Sequence, residues 1–244
     1  MYSILSRMGF IRSKISRNMS TKRRKAAAVL TTSGLNKAVV YDDHFYGPLE
    51  KHGWTITEYN WREMDVDNLV ANNDVFIVRS TWDYQLFPEL FLSTLKEINE
   101  KKTSTAVLSN SFEILKWNLD KVYMRDLSER GNVDIVPTMW FTPDDITTID
   151  VMTALDRSFD ALNTNEVVIK PTISATADKT YHVTRSDSFT YQMRGMGEEY
   201  HTTEAVTIKL RECYPSVTER SYMVQPFLKS ISEQGEISLF YFAL

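Results

Sequence analysis

The chain has 244 residues, 43% of them hydrophobic and 25% charged, with 32 acidic against 28 basic side chains. That length supports one or two domains, and no run approaches the roughly 18–20 apolar residues that a membrane span needs. A single cysteine, Cys213, excludes an intramolecular disulfide and points to a reducing compartment; with only four histidines it also argues against a dedicated zinc site.

Charge is uneven along the chain. Nine basic residues precede the first acid, Asp42; from there on, 19 Lys and Arg face 32 Asp and Glu, a net charge near −13. That sign argues against nucleic acid as a partner of the body of the protein. Residues 1–24 are rich in Arg and Ser, contain no acid, and space Ile4, Leu5, Met8, Ile11 and Ile15 at near-helical intervals. This is the composition of a mitochondrial transit peptide or of a disordered basic tail, so the address expected is mitochondrial or cytoplasmic.

Taken in order, AAAVLTT (26–32) predicts a first strand, apolar throughout as central parallel strands are. A short helix follows over 43–53, interrupted by Pro48, then an alternating strand over 54–60, a strand over 74–80, a helix over 88–102 and a strand over 105–109. Strand alternating with helix implies a doubly wound, mostly parallel sheet. No G-x-G-x-x-G follows the first strand, so this is not the usual dinucleotide fold. Beyond Ser109 the pattern changes. Helices are expected over 119–130 and 143–159, the second with Pro143 and two acids in its first turn. An extended piece lies at 134–140 and strands at 166–170 and 180–184. A flexible loop is expected over 186–200, where Gly195 and Gly197 carry no weight as a motif, and a helix over 202–213. Strands follow at 221–227 and 236–244. The last strand, SLFYFAL, has no polar end, and the expectation is a fragment or short isoform whose sheet continues further.

Four places carry chemistry. In VVIKPTISATADKT a buried run ends on Lys170, Pro171 stops strand pairing, and a loop of small residues follows. Free N–H groups in such a loop can hold an anion, with Ser174 and Thr176 adding hydroxyls; the alternative is a hairpin with a snorkelling lysine. Lys121, expected in the first turn of a helix behind Asn118 or Asp120, opposes the helix dipole and suits a bound anion, or is a solvated surface lysine. In MVQPF the Gln225 carbonyl and the Phe227 N–H could read a base edge, with Glu236 for ribose hydroxyls, or the motif is a plain strand end. RSTWDY (79–84) closes the third strand, where open α/β sheets bind ligands; Arg79 could clamp a carboxylate while Trp82 and Tyr84 wall a pocket, or the aromatics pack core and Arg79 pairs Asp83.

In this order the segments VRSTWDY, LSNSFEILKWNLDKVYM, VPT, VVIKPTISATADKT and MVQPFLKSISEQGEISL resemble the ATP-grasp superfamily, in its glutathione-synthetase-like branch with the O-ureido-serine cyclo-ligases. The resemblance covers residues 26–244. It implies an α/β and α+β chain: a basic tail over 1–24, a pre-ATP-grasp domain over 25–116 and an ATP-grasp domain over 117–244, incomplete in its C-terminal lobe. It implies ATP held by Lys121, Lys170, Ser174, Thr176, Gln225, Phe227 and Glu236, and substrate held by Arg79 and Asp83. The implied reaction joins a small carboxylate to an amine through an acyl phosphate, with Mg²⁺ whose ligands are expected past Leu244; no catalytic residue is assigned. A non-catalytic ATP-binding or scaffolding remnant is the alternative, and so is an unrelated binding module. No membrane partner is implied, and a homodimer is compatible with the resemblance. One departure is plain: the phosphate loop of the family carries glycine, and ISATADKT has none.

Overall fold

A computed structural model describes residues 25–34, 42–146, 148–187 and 189–235. The basic segment 1–24, the expected strand 236–244 and Glu236 lie outside these. The first half forms a sheet of four parallel strands, β1 (Lys25–Thr31), β2 (Trp54–Asn60), β3 (Val75–Val78) and β4 (Val107–Ser109), in the order β2-β1-β3-β4. β1 is central, which explains its unbroken apolar run: Ala27 to Leu30 are fully buried. Helices α1 (Asp43–Lys51), α2 (Val66–Asn72) and α3 (Pro88–Lys101) connect the strands. α3 opens on Pro88 and buries Phe91, Leu95 and Ile98 at helical spacing; Phe91 meets the buried Trp61 edge to face at 5.1 Å. The doubly wound expectation therefore holds. α2 escapes a search for periodicity because it buries only Leu69; its local mark is Asp65, whose carboxylate accepts from the N–H groups of Asp67 and Asn68.

Past β4, the helix expected over 119–130 starts later, at Tyr123, and a helix that was not expected precedes it. α4 (Phe112–Leu119) starts on the Ser111 cap and ends at Asp120; α5 (Tyr123–Gly131) follows and stops on Asn132 at φ 49°. Asp120 takes the Val122 N–H at 3.0 Å, a local bond that turns the chain between the helices. Lys121 thus lies in the joint before α5 and not in the first turn of a helix. The helix expected from Pro143 also starts later. Thr142 donates to Asp145, which is clamped by Arg125 at 2.7 Å, and these bonds hold a turn. α6 (Val151–Ala161) begins only at the Asp150 cap.

The second sheet is antiparallel, with β5 (Met139–Phe141), β6 (Glu166–Pro171), β7 (Tyr181–Arg185), β8 (Tyr191–Gly195), β9 (Glu198–Tyr200) and β10 (Tyr222–Pro226) in the order β5-β10-β6-β7-β8-β9. The expected loop over 186–200 is instead the β8–β9 hairpin. Its turn is Met196–Gly197, both at positive φ (54° and 78°), as a two-residue hairpin turn requires. Gly195 has a reason as well: a Cβ there would stand 2.4 Å from the Thr180 carbonyl oxygen. α6 and α7 (Thr203–Cys213, capped by Thr202) cover one face of the sheet, burying Leu155, Phe159, Val206 and Leu210 against Val167, Ile169, Tyr181 and Val224. A short helix, α8 (Lys229–Gln234), follows β10. Among the described residues, no helix is long and apolar enough to cross a membrane.

Candidate functional site

Strand alternation decides what the face of the antiparallel sheet away from α6 and α7 carries. Val167, Ile169, Tyr181, Val183, Tyr191, Met193, Tyr222 and Val224 turn into the core beneath α6 and α7. Their neighbours, Lys170, Val168, His182, Arg194, Met223 and Gln225 among them, therefore turn to the other face. Register aligns Lys170 with Met223, and runs a second row from Gln225 through Val168 and His182 to Arg194.

At the Lys170 end of this face the chain brings in Lys121. Its Nζ donates to the Ser174 carbonyl at 2.8 Å and the Ser174 hydroxyl at 2.9 Å, and its backbone N–H donates to the Thr172 carbonyl at 2.9 Å. Burial first, and the like charge of Lys170 second, push its pKa down to about 8, against the attraction of Asp120. Two lysines thus converge, and Lys170 makes the Lys121 charge harder to keep. Ser174 is buried and turns its hydroxyl inward, donating to the Pro171 carbonyl at 3.3 Å, so its part here is to position Lys121. The base of the loop also reaches the first half of the molecule: Tyr84 donates to the Ser174 carbonyl at 3.3 Å, and Ile173 packs against the core around Trp61 and Phe91.

The tip of that loop resolves its missing glycines. Thr176, Ala177 and Lys179 all lie at positive φ (51°, 57° and 51°), the region where glycine is ordinarily needed. The backbone makes the glycine-type turns without glycine, at a cost of about 1–2 kcal/mol per residue. Thr176 is exposed, with its hydroxyl on the Ala175 carbonyl at 2.8 Å.

At the other end of the face, Gln225 donates from Nε2 to Thr138 at 2.8 Å. The Phe227 N–H is not available to a base as the sequence suggested, because it donates to the Glu166 carbonyl at 2.9 Å and prolongs the β10–β6 ladder. Antiparallel alternation turns the Pro226 carbonyl and the Leu228 N–H to the opposite edge, which β5 covers only as far as Val224. The acceptor and donor suited to a base edge are therefore one residue further along. The Phe227 ring stacks on His182 with centroids 3.9 Å apart. His182 accepts at Nδ1 from Arg194 at 3.0 Å, which leaves its proton on Nε2, 3.3 Å from Glu166. Burial and then the Arg194 charge hold the His182 pKa below its ordinary value. Reasoning from sequence did not single out His182; the strand alternation in YHVTR was the signal that could have.

Arg79 and Asp83 stand apart from this face, at the carboxyl ends of β3 and β1. Arg79 binds Asp42 at 2.8 Å from Nε and lies over the Phe45 ring, while Ser80 donates to the same carboxylate. Asp83 accepts from Thr32 and from the Trp61 indole N–H at 2.7 Å, and pairs Arg62 at 2.9 Å. The two are not each other's partner. Tyr84 packs tilted on Phe91 at 5.5 Å in the first core, and Trp82 is exposed.

Residues 27–107 match the family model described as the N-terminal domain of D-cycloserine synthetase DcsG. The crystal structure of D-cycloserine synthetase DcsG is similar to this chain with a TM-score of 0.61 at 18% identity, covering 86% of this chain. An ATP-grasp RimK domain protein from Sphaerobacter thermophilus gives 0.50 at 12% identity over 83% of this chain. The fold is that of the ATP-grasp proteins. A carboxyaminoimidazole ribonucleotide synthase from Aspergillus clavatus, complexed with ATP, is similar at a TM-score of 0.50 and 8% identity, over 84% of this chain and 47% of its own. No curated protein matches. The chain spans 62% of the length of DcsG and 64% of the RimK domain protein. Within the ATP-grasp fold, then, the structure gathers Lys121, Lys170 and Ser174 at one end of the sheet face away from α6 and α7, and Gln225 and Phe227 at the other. It sets Arg79 and Asp83 at the parallel sheet, and Glu236 lies outside the described residues. Among the described residues no group of three His, Cys, Asp or Glu could hold a metal ion.

Proposed function

We propose that the face of the antiparallel sheet away from α6 and α7 binds ATP and that the protein is an ATP-dependent ligase of the carboxylate–amine kind. The observation that carries this reading is the convergence of Lys121 and Lys170 beside a loop of small residues, with Lys121 driven down to about 8. A polyanion at that point offsets both the burial of the Lys121 ammonium and its repulsion by Lys170. The base would lie toward Gln225 and Phe227, against the Pro226 carbonyl and the Leu228 N–H. The ATP complex of a protein with this fold supports the same ligand.

In the reaction proposed, a carboxylate oxygen attacks the γ-phosphorus and ADP leaves. An amine then attacks the acyl carbon of the acyl phosphate, and phosphate leaves. The two lysines would neutralise charge on the transferring group. Mg²⁺ would supply further charge there; the described residues gather no donor set for it, and none is assigned a ligand role. The two sheets are proposed as separate units; the expected division after residue 116 falls inside α4, so it is moved to the joint that follows that helix, with Arg79 and Asp83 beside the substrate.

Calorimetry with ATP–Mg²⁺ tests the reading. The wild-type chain is expected to bind, and Lys170→Ala to lose about tenfold or more of that affinity, the scale of one charge-assisted contact. A wild-type protein that binds no nucleotide would sink it. Binding with no ADP formed in the presence of a panel of carboxylates and amines would favour the non-catalytic remnant.

A further inference from the structure

Each sheet ends on two edge strands, β2 and β4 in the first and β5 and β9 in the second. An unpaired edge is a row of free N–H and C=O groups that can capture another strand. β4, β5 and β9 are blunted by being only three residues long, and β9 also carries Glu198 and Glu199. β2 is different. It is seven residues long, WTITEYN, with no lysine and no proline, and its register against β1 runs from Lys25–Trp54 to Thr31–Asn60 without a bulge. Its single charge, Glu58, accepts the Tyr46 hydroxyl at 2.8 Å. Among the described residues no strand pairs with the other side of β2.

Parity fixes what that side offers. Trp61 donates its backbone N–H to the Thr31 carbonyl at 3.0 Å, so the backbone groups of Tyr59, Thr57 and Thr55 also face β1. Trp54, Ile56 and Glu58 therefore turn their N–H and C=O groups outward. Thr55 and Thr57 are exposed between them. This edge complements itself. Under a two-fold axis at Ile56, antiparallel pairing sets Ile56 on Ile56, Trp54 on Glu58 and Thr55 on Thr57 of a second copy. Lys25 lies over the Trp54 ring at 5.2 Å, so Glu58 of the second copy would approach a cation. Apolar, Thr–Thr and opposite-charge pairs are the ones that stabilise neighbouring strands. An axis at Thr57 would set Ile56 on Glu58, and an axis at Glu58 would set carboxylate on carboxylate.

We propose that β2 pairs antiparallel with β2 of a second copy about an axis at Ile56, so that the parallel sheet continues through the dimer. Each favourable pair is then made twice, which a symmetric contact supplies and a foreign strand does not. The contact involves the parallel half alone, and ATP has no part in it.

Sedimentation of the 244-residue chain over a concentration series tests the contact. The dimer fraction should rise with concentration. Ile56→Lys places two ammonium groups face to face at the axis and should raise the dissociation constant about tenfold or more. Cross-linking tests the register. The native Cys213 is buried, so an added thiol reports alone. Thr55 and Thr57 of the two copies would form a non-hydrogen-bonded pair with Cα atoms about 4.5 Å apart, within disulfide reach. Mixed Thr55→Cys and Thr57→Cys chains should therefore link under mild oxidation. Either variant alone should link far less, because its equivalent positions stand about 7–8 Å apart on the diagonal. Variants are compared at an unchanged melting transition; if Ile56→Lys melts early, the mixed cross-link decides. A chain that stays monomeric up to its solubility limit, or a dimer that Ile56→Lys leaves intact, overturns the proposal. So does a cross-link that forms in Thr57→Cys alone as readily as in the mixture, since that pairing needs an axis at Thr57.

Discussion

At the carboxyl ends of the parallel strands, charge is closed on itself. Asp83 is held by Thr32, Trp61 and Arg62, and Asp42 by Arg79 and Ser80. On the face of the antiparallel sheet away from α6 and α7 charge is arranged the other way: Lys121 and Lys170 approach each other, and Lys121 depends on backbone and hydroxyl oxygens of the loop for its hydrogen bonds. The first arrangement stabilises the fold by itself. The second holds the Lys121 ammonium where burial and a like charge work against it, and the proposed nucleotide site rests on that contrast more than on any single motif.

The contrast can be broken from either side. The largest effect is expected from Asp83→Ala, which leaves Arg62 and the Trp61 N–H without their acceptor; urea unfolding should show a loss of about 3 kcal/mol. A loss below about 1 kcal/mol would mean that the parallel half is not held by this network. Next is the pH dependence of nucleotide affinity. An anion favours the charged lysine, so ATP affinity should be highest below pH 8 and fall as pH rises through about 8, where Lys121 of the free protein gives up its proton. Lys121→Met should flatten that step in a calorimetric pH series. Stability should respond in the opposite sense. Lys121 is lowered from 10.5 to about 8 in the folded chain, so between those values the unfolded chain binds more protons. The melting temperature should therefore gain a rising contribution from about pH 8 to 10.5 that Lys121→Met lacks. The smallest effect belongs to the loop tip. Ala→Gly ordinarily destabilises by roughly 0.5–1 kcal/mol, but at Ala177, already at positive φ, Ala177→Gly should be neutral or stabilising by up to about 1 kcal/mol. A melting temperature lowered by several degrees would show that the turn does not carry the strain assigned to it.

The parallel half was legible because its elements carry complete patterns. β2 falls where its alternation predicts, and α3 shows both its proline start and its apolar stripe. The failures have specific causes. α2 buries one residue, too few for a period. α4 was missed, and the late start of α5 depends on one side-chain bond from Asp120, which no periodicity reveals. The β8–β9 hairpin hides its alternation of Tyr191 and Met193 with Gln192 and Arg194 behind glycines that read as a loop. Within the site, Lys170 and the small-residue loop could be read from the chain, because a lysine closing a buried strand is an anomaly in itself. The inward turn of the Ser174 hydroxyl, and the Phe227 N–H spent on Glu166, could not. Both depend on which way a strand's parity happens to face.

The Thr172–Ser174 stretch has a further consequence for motion. Thr172 donates to the Ser221 carbonyl and accepts from Lys121, Ile173 packs in the first core, and Tyr84 holds the Ser174 carbonyl. Opening this base therefore means disturbing contacts of both halves at once. The tip, from Thr176 to Asp178, is held by short-range turn bonds, such as Asp178 to the Ala175 carbonyl, until the buried Tyr214 hydroxyl ties down the Lys179 carbonyl. Hydrogen exchange should therefore divide this one loop into two classes: amides at its base that open only with the larger structure, and amides at its tip that open locally.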